Sequence, residues 1–386
     1  MNSRSGLLKK INERKIFNAI YESEIISRAE LARKLDLALP TVSRIVDDLL
    51  ERGWLQSVGI GDSSGGRPPS LVKIDPEGAG VIGVDLGRES VRIIYADLLA
   101  QVRLAEDHPI TDIEGPEELA NHLKEFIKNC GIPKKRLLGI GIASPGPLDP
   151  DSGTLFSPED VLANWLGAPI VETLESKIGV NTWLANDADA AALAENWFGR
   201  GKRIKSTLFV LHDVGIGSGI VLDGSIWRGT RNMAGEISHM VVNLEGEKCF
   251  CGKNGCVDTY ASLYKIEQKI KGLRERKPDE AFLEILQRAK AKYEPDYSVI
   301  AKAARYVATA IINVVQAIDI EAVILGGRTL LYEDAYFSTL VENEVKQMLG
   351  SDNREISVTS FGFDAVSIGA ATLVLQRIYD HTQLFY

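Results

Sequence analysis

The pattern of apolar and polar positions changes character along the 386 residues. Near the start, Val42, Ile45, Val46, Leu49 and Leu50 recur at helical spacing, and Ala29, Leu31, Ala32 and Leu35 form a shorter stripe of the same kind. Each stripe has a start signal. Ser27 followed by Glu30 has the spacing of a capping box, in which each side chain covers the other's free backbone N–H. Pro40 fits the first position of the next helix, where a missing N–H costs nothing. A further helix is expected over about 7–21. After Gly53, two short apolar strands flank a glycine-rich tip, GGRPP, which carries Arg67.

From Val81 the texture changes. VIGVDLG, VRIIYAD and QVRLA predict three successive strands, followed by a helix over 116–130 and the strand LLGIGIA. STLFVLH, GSGIVLDG and SIW repeat the theme and lead, through a long insertion, to the helical run IAKAARYVATAIINVVQAI and the buried strand AVILGG. Strand-strand-strand-helix-strand-helix, occurring twice, is the order of the two-lobed actin-like ATPase fold, although periodicity alone fits other α/β folds as well. The expected division is a head, 1–76, and a body, 77–386. Lobe 1 then covers about 77–198 plus a C-terminal helix over 366–386, and lobe 2 covers about 199–365.

With 45% hydrophobic and 25% charged residues, the composition is that of a soluble globular chain of two or three domains. No run of about 18 apolar residues is found, so no membrane span is expected, and the basic N-terminus lacks the apolar core of a signal peptide, so cytoplasm is expected. A net charge of -9 argues against a protein that coats nucleic acid. Residues 1–75 nevertheless hold twelve Lys/Arg against ten Asp/Glu, leaving 32 and 43 for the remainder. A weakly basic head on an acidic body suits DNA.

In the head, Thr41, Ser43 and Arg44 are left on the outside at the start of the second helix. A helix, a tight turn and a second helix with small polar and basic residues at its exposed start form a helix-turn-helix, whose second helix enters the major groove. Arg67 on the hairpin wing suits a narrow minor groove. The competing reading is a three-helix bundle that docks on something other than DNA. Asp47, Asp48 and Glu51 would repel phosphates and are expected to face away from them.

Three of the four cysteines fall within nine residues, KCFCGKNGC (248–256). In the cytoplasm such a cluster points to metal rather than disulfides. Three thiolates are one short of the four ligands of structural zinc. His239, in AGEISHM, completes a Cys3His set with Cys249, Cys251 and Cys256; its context suggests the end of a strand. The alternative is a reduced loop beside a core histidine.

SPGPLD (144–149), NDADAAALAE (186–195), AGEISHM (234–240) and CFCGKNGCVDTYAS (249–262) occur in this order. With them the chain resembles ROK proteins (repressor, open reading frame, kinase) from about Val81 onward. The winged head resembles the NagC/XylR-like regulator branch. The resemblance implies a ribonuclease H-like, actin-like ATPase fold, with Zn2+ on His239, Cys249, Cys251 and Cys256. It also implies a sugar site of Gly146, Asn186, Asp187, Glu236, His239 and Asp258. In family kinases, Asp187 corresponds to the base that activates the attacking hydroxyl. His239 would ligate zinc through one nitrogen and offer the other to the sugar.

Three departures matter. The kinase pattern D-x-G-G-T-K reads DLGRES here, with Arg88 and Glu89 replacing a glycine and the threonine; G-T-G-I-G reads DVGIG, with Asp213 and Val214. An acid beside a triphosphate is repulsive, so no catalytic residue is expected and kinase activity is doubtful. Asp258 stands where the family usually has Glu, which shifts the expected sugar preference. The implied protein is a transcriptional regulator, a repressor that binds operator DNA as a homodimer or higher homo-oligomer and is released by a sugar or sugar phosphate. The alternative is an ATP-dependent sugar kinase with an appended head. A regulator titrated by a protein partner is a third class, and the polar helical stretch 262–297 would suit such a surface unless it is simply a solvated amphipathic pair.

Overall fold

The computed structural model describes residues 4–60, 70–156, 164–270, 278–352 and 354–379. Its head consists of α1 (Arg4–Ser23), β1 (Ile26–Ser27), α2 (Arg28–Leu35), α3 (Leu39–Glu51) and the hairpin β2 (Leu55–Ile60) and β3 (Ser70–Ile74). The capping box forms: the Glu30 N–H donates to Ser27 Oγ at 3.2 Å, and the Ser27 N–H donates to the Glu30 carboxylate at 3.0 Å. α3 begins one residue earlier than expected, so Pro40 takes the second helical position, where the N–H still has no intrahelical acceptor. Val42, Ile45, Val46 and Leu49 are buried as their spacing requires. Ala29 is exposed, because the eight-residue α2 buries a single side chain, Leu31, and Leu50 of α3 is only partly covered. β1 joins the hairpin in the order β1-β3-β2. The wing tip with Arg67 lies outside the described residues.

The first sheet of the body uses β4 (Gly80–Leu86), β5 (Ser90–Asp97), β6 (Val102–Pro109) and, beyond α4 (Pro116–Cys130), β7 (Leu137–Ser144). A small pair, β8 (Leu148–Asp149) and β9 (Thr154–Leu155), and α5 (Ile170–Ile178) precede its last strand, β10 (Thr182–Asn186), and then α6 (Asp187–Phe198). The order is β10-β7-β4-β5-β6, antiparallel through β4–β6 and parallel through β4, β7 and β10. Leu119, Leu123 and Phe126 of α4 pack with Ile82, Val84 and Ile93. That burial turns the 2-period and 3.6-period stripes into one layer on another.

The second sheet repeats the scheme with β11 (Ser206–His212), β12 (Ile216–Leu222) and β13 (Ser225–Ile226). The insertion supplies α7 (Asp258–Ala261), α8 (Leu263–Lys269) and α9 (Pro278–Lys290). The repeat then closes with α10 (Asp296–Ile318), β14 (Ala322–Gly326), α11 (Arg328–Leu349), β15 (Glu355–Val358) and α12 (Ala365–Tyr379). The order is β13-β12-β11-β14-β15. The insertion helices are amphipathic, and Leu263, Ile266, Phe282, Ile285 and Leu286 enter the core of this lobe. By length and composition α10 is apolar enough to cross a membrane, despite Lys302 and Arg305. Here Ile300, Ala304, Val307, Ile311 and Val315 pack into the same core.

Between the sheets lie α6 and α12, packed on each other, with α12 against β4 and β7 and α6 against β11 and β12. Small residues make this possible. A Cβ on Gly141 would stand 1.7 Å from the Ala370 carbonyl oxygen, and one on Gly369 would stand 2.2 Å from that of Ala190. The far ends of both helices hold the head. The Tyr379 ring lies 5.0 Å from both Phe17 and Tyr21 of α1 and also touches Trp197 and Phe198, while Tyr21 Oη donates to the Trp197 carbonyl at 3.0 Å.

Candidate functional site

His239 does not end a strand. Gly235 adopts φ +83°, which breaks the extended run, and Ile237–His239 form one 3-10 turn. The cysteine loop is closed by a bridge between Lys248 and Asn254 and is joined to the segment after this turn by one between Val241 and Cys256. Within it the Cys249 N–H donates to the Lys253 carbonyl at 2.8 Å. A Cβ on Gly255 would stand 1.6 Å from the Asn243 carbonyl oxygen, so the loop closes only with glycine there.

The ligand atoms of His239, Cys249, Cys251 and Cys256 all lie within 4.8 Å of one another. In a tetrahedral zinc site with bonds of about 2.3 Å, sulfurs stand roughly 3.8 Å apart. Cys251 and Cys256 sulfurs are 3.6 Å apart, and Cys249 Sγ is 3.6 Å from His239 Nδ1. All three cysteines are free thiols, far outside disulfide distance. Burial and then the neighbouring sulfurs push the Cys256 thiol up to about 12, a penalty that a divalent cation relieves. The set therefore fits zinc. Phe250 packs edge-on against the imidazole at 4.9 Å, and Nδ1 faces the sulfur, which leaves Nε2 on the opposite edge of the ring.

The polar wall continues from His239. Glu236 caps the same 3-10 turn, and burial raises its carboxyl while the nearby imidazole opposes the shift. Asn186 ends β10, and its Oδ1 accepts from the Ala188 and Asp189 N–H groups at 3.0 and 3.3 Å. Its Nδ2 lies 3.4 Å from where a Gly146 Cβ would stand. Asp187 opens α6 and is pushed up to about 6, first by burial, with Asp213 and Glu236 adding to the rise. Gly146, Asn186, Asp187, Glu236 and His239 thus follow one another along the cleft. Asp258 opens α7 two residues after Cys256, so the cysteine loop sets its position.

The altered turns meet across the cleft. Arg328, directly after Gly327, donates to Asp213 through Nε at 2.7 Å and Nη2 at 2.6 Å, and to Glu89 through Nη1 at 2.9 Å. Glu89 belongs to the β4–β5 turn of the first sheet; Asp213 and Arg328 belong to the second. Arg92 makes a second crossing to Asp364. Sequence reasoning noticed both acids and missed Arg328, although the clue was adjacent: a cation immediately after the Gly326-Gly327 turn. Beneath them Asp85 is pushed up to about 8 by burial and by Asp187 and Asp213.

In the head, Thr41 and Ser43 are partly exposed and Arg44 is exposed, on the first turns of α3. Asp47 is held by Arg28 at 2.6 Å and Asp48 by Arg52 at 3.0 Å, so both acids are paired within the head.

The ROK family pattern matches residues 81–377, three-quarters of the chain. This chain belongs to the ROK family. A winged helix-turn-helix DNA-binding pattern matches residues 10–56, ahead of the ROK domain. The chain is 28% identical to a xylose repressor of Caldicellulosiruptor bescii over 386 residues, 96% of each protein. A crystal structure of a ROK family transcriptional regulator, a homologue of E. coli Mlc, superposes with a TM-score of 0.78 at 23% identity, covering 98% of both chains. A ROK hexokinase from Thermus thermophilus superposes with a TM-score of 0.63 at 28% identity, covering 76% of this chain and 97% of its own. With its head joined to a ROK domain, this family member is built as a DNA-binding transcriptional regulator.

Proposed function

We propose that the protein is a sugar-responsive repressor of carbohydrate-utilisation genes and that its cleft binds sugar without phosphorylating it. The observation that carries the second half is Arg328. Its guanidinium is committed to Glu89 and Asp213, the two acids that stand in the phosphate-binding turns. A nucleotide triphosphate would have to displace that pairing and face the acids. The relatives' names support the first half.

A sugar presents hydroxyls that both donate and accept, so its site needs convergent carboxylates and amides. Asn186, Asp187, Glu236 and His239 supply them, with Gly146 allowing close approach of the ring and Asp258 reaching from the α7 start. His239, Cys249, Cys251 and Cys256 would hold zinc. With every position filled by protein, the ion is structural and fixes the imidazole in place. In the head, Thr41, Ser43 and Arg44 meet base edges and Arg67 the minor groove. One such module makes few contacts, so the repressor acts as a homodimer on a palindromic operator in the cytoplasm. The working division is a head of 1–76 and a body of 77–386.

A hundredfold preference of the sugar for the DNA-incompetent shape lowers operator affinity by about 2.7 kcal/mol per site. The test is operator affinity at fixed salt across neutral and phosphorylated sugars, with ADP release followed on the same samples. One sugar should weaken DNA binding in the native protein and not in Asn186→Ala. Steady ADP release would establish the kinase alternative. Release from DNA by a protein partner, with every sugar silent, would establish the third class.

A further inference from the structure

A cavity of about 480 Å3 lies between the lobes, and none of the six sugar-site residues lines it. One wall is Pro150 and Asp151; the other contains Trp227, Arg228, Thr230 and Asn232. Both walls continue directly from the sugar site. Pro150 follows β8, four residues beyond Gly146, and β8 packs beside β10, which ends at Asn186. The segment from Trp227 leads through a short loop to Gly235 and Glu236.

These walls are built turns. The Asp151 and Gly153 N–H groups donate to Asp149 at 3.1 and 2.9 Å. The Trp227 N–H donates to the Ile220 carbonyl at 2.7 Å, anchoring it to β12, and the Ala234 N–H closes the loop on the Arg228 carbonyl at 3.1 Å. The indole is left 51% exposed on this anchored backbone. Behind it, Arg228 acts on the charge of Asp189, which is 8% exposed. Among the described residues, Arg228 Nε and Asp189 Oδ1 are buried without a hydrogen-bond partner. Unpaired buried polar atoms are costly and call for a ligand or water.

We propose that this cavity is a second sugar subsite, so that the effector is a neutral oligosaccharide with one ring in the Asn186–His239 site and the next stacked on Trp227. An exposed, fixed indole beside donors and acceptors suits a pyranose, whose faces carry C–H groups and whose rim carries hydroxyls. The volume lies within the roughly 300–1,000 Å3 of small-ligand pockets. This inference rests on the sugar-effector reading and specifies its ligand class.

The experiment is calorimetric titration of the full-length protein with xylose, xylobiose and xylotriose, and with glucose, cellobiose and maltose. In one series the disaccharide should bind at least about tenfold more tightly than its monosaccharide. Trp227→Ala should lower that ratio about tenfold, Trp227→Phe should keep most of it, and tryptophan fluorescence should change with the disaccharide only in proteins retaining Trp227. Monosaccharide binding with no disaccharide advantage, or an advantage that Trp227→Ala leaves intact, would overturn the subsite and leave the sugar site standing. If no neutral saccharide binds and a sugar phosphate does, the oligosaccharide effector is wrong while the sugar-responsive reading survives. If no sugar of either kind binds, both fall.

Discussion

Replacing Arg328 with alanine removes the one guanidinium that ties Glu89 and Asp213 together. The side chains are 25%, 39% and 33% exposed respectively, so water screens the pairs substantially. At such sites an ion pair contributes about 0.2–1 kcal/mol, and the two-pronged contact to Asp213 belongs at the upper end. Together they come to about 1–2 kcal/mol of folding stability. Of the contacts Arg328 makes, that to Glu89 joins the two sheets, so no more than about 1 kcal/mol of its contribution acts on lobe closure, a factor of roughly five. The variant also leaves Glu89 and Asp213 to repel one another in the cleft. Arg328→Ala is therefore expected to bind the operator-releasing sugar three- to tenfold more weakly at 50 mM NaCl, measured by calorimetry. At 1 M NaCl, where the screening length shrinks to about 3 Å, most of that difference should vanish. Arg328→Lys should fall between, since it keeps charge and loses the fork. Unaltered sugar affinity in the alanine variant, or a loss that persists undiminished at 1 M salt, would show that the bridge has no part in closure.

Two further outcomes are expected. Asp85 and Asp187 have folded-state pKa values raised to about 8 and about 6, chiefly by burial, well above the unfolded value near 3.9. The folded state thus holds more protons, and this favourable contribution, complete below about pH 4, is lost as pH rises toward 8. Asp85→Asn should flatten the decline in urea midpoint between pH 5 and pH 8; an unchanged slope would refute the assignment. Metal analysis should find one zinc per chain, and its removal by chelator, or Cys256→Ser, should lower the melting temperature and sugar affinity while sparing sugar-free operator binding. Full sugar affinity in metal-free protein would separate the cysteine loop from the sugar wall.

The sequence disclosed most where chemistry and spacing are local. The capping box, the buried face of α3, the first strands of each lobe and the four clustered ligand residues are all written in short stretches, and backbone geometry reproduces them. Less legible was anything decided by the partner across a gap. Arg328 and Glu89 are 239 positions apart, and neither has a motif that names the other. Trp227 was expected to end the SIW strand and instead follows β13, and only the folded structure brings it and Arg228 opposite Pro150 and Asp151. His239 was expected at a strand end, and Gly235 at φ +83° turns the chain before it. Ala29 failed for a simpler reason: a stripe of four apolar positions on a short helix says nothing of how much of it a neighbour can cover.

The placement of α6 has a mechanical consequence. Its first residue, Asp187, faces the cleft, and its last, Phe198, lies against Tyr379 beside α1. Twelve helical residues make a stiff rod of roughly 18 Å. A tilt of about 5° about the cleft end would carry the far end roughly 1.5 Å, a displacement that aromatic rings in contact cannot absorb without moving together. Any movement of α6 at the cleft would therefore be felt at α1 through these rings, alongside α12, whose far end touches the head as well.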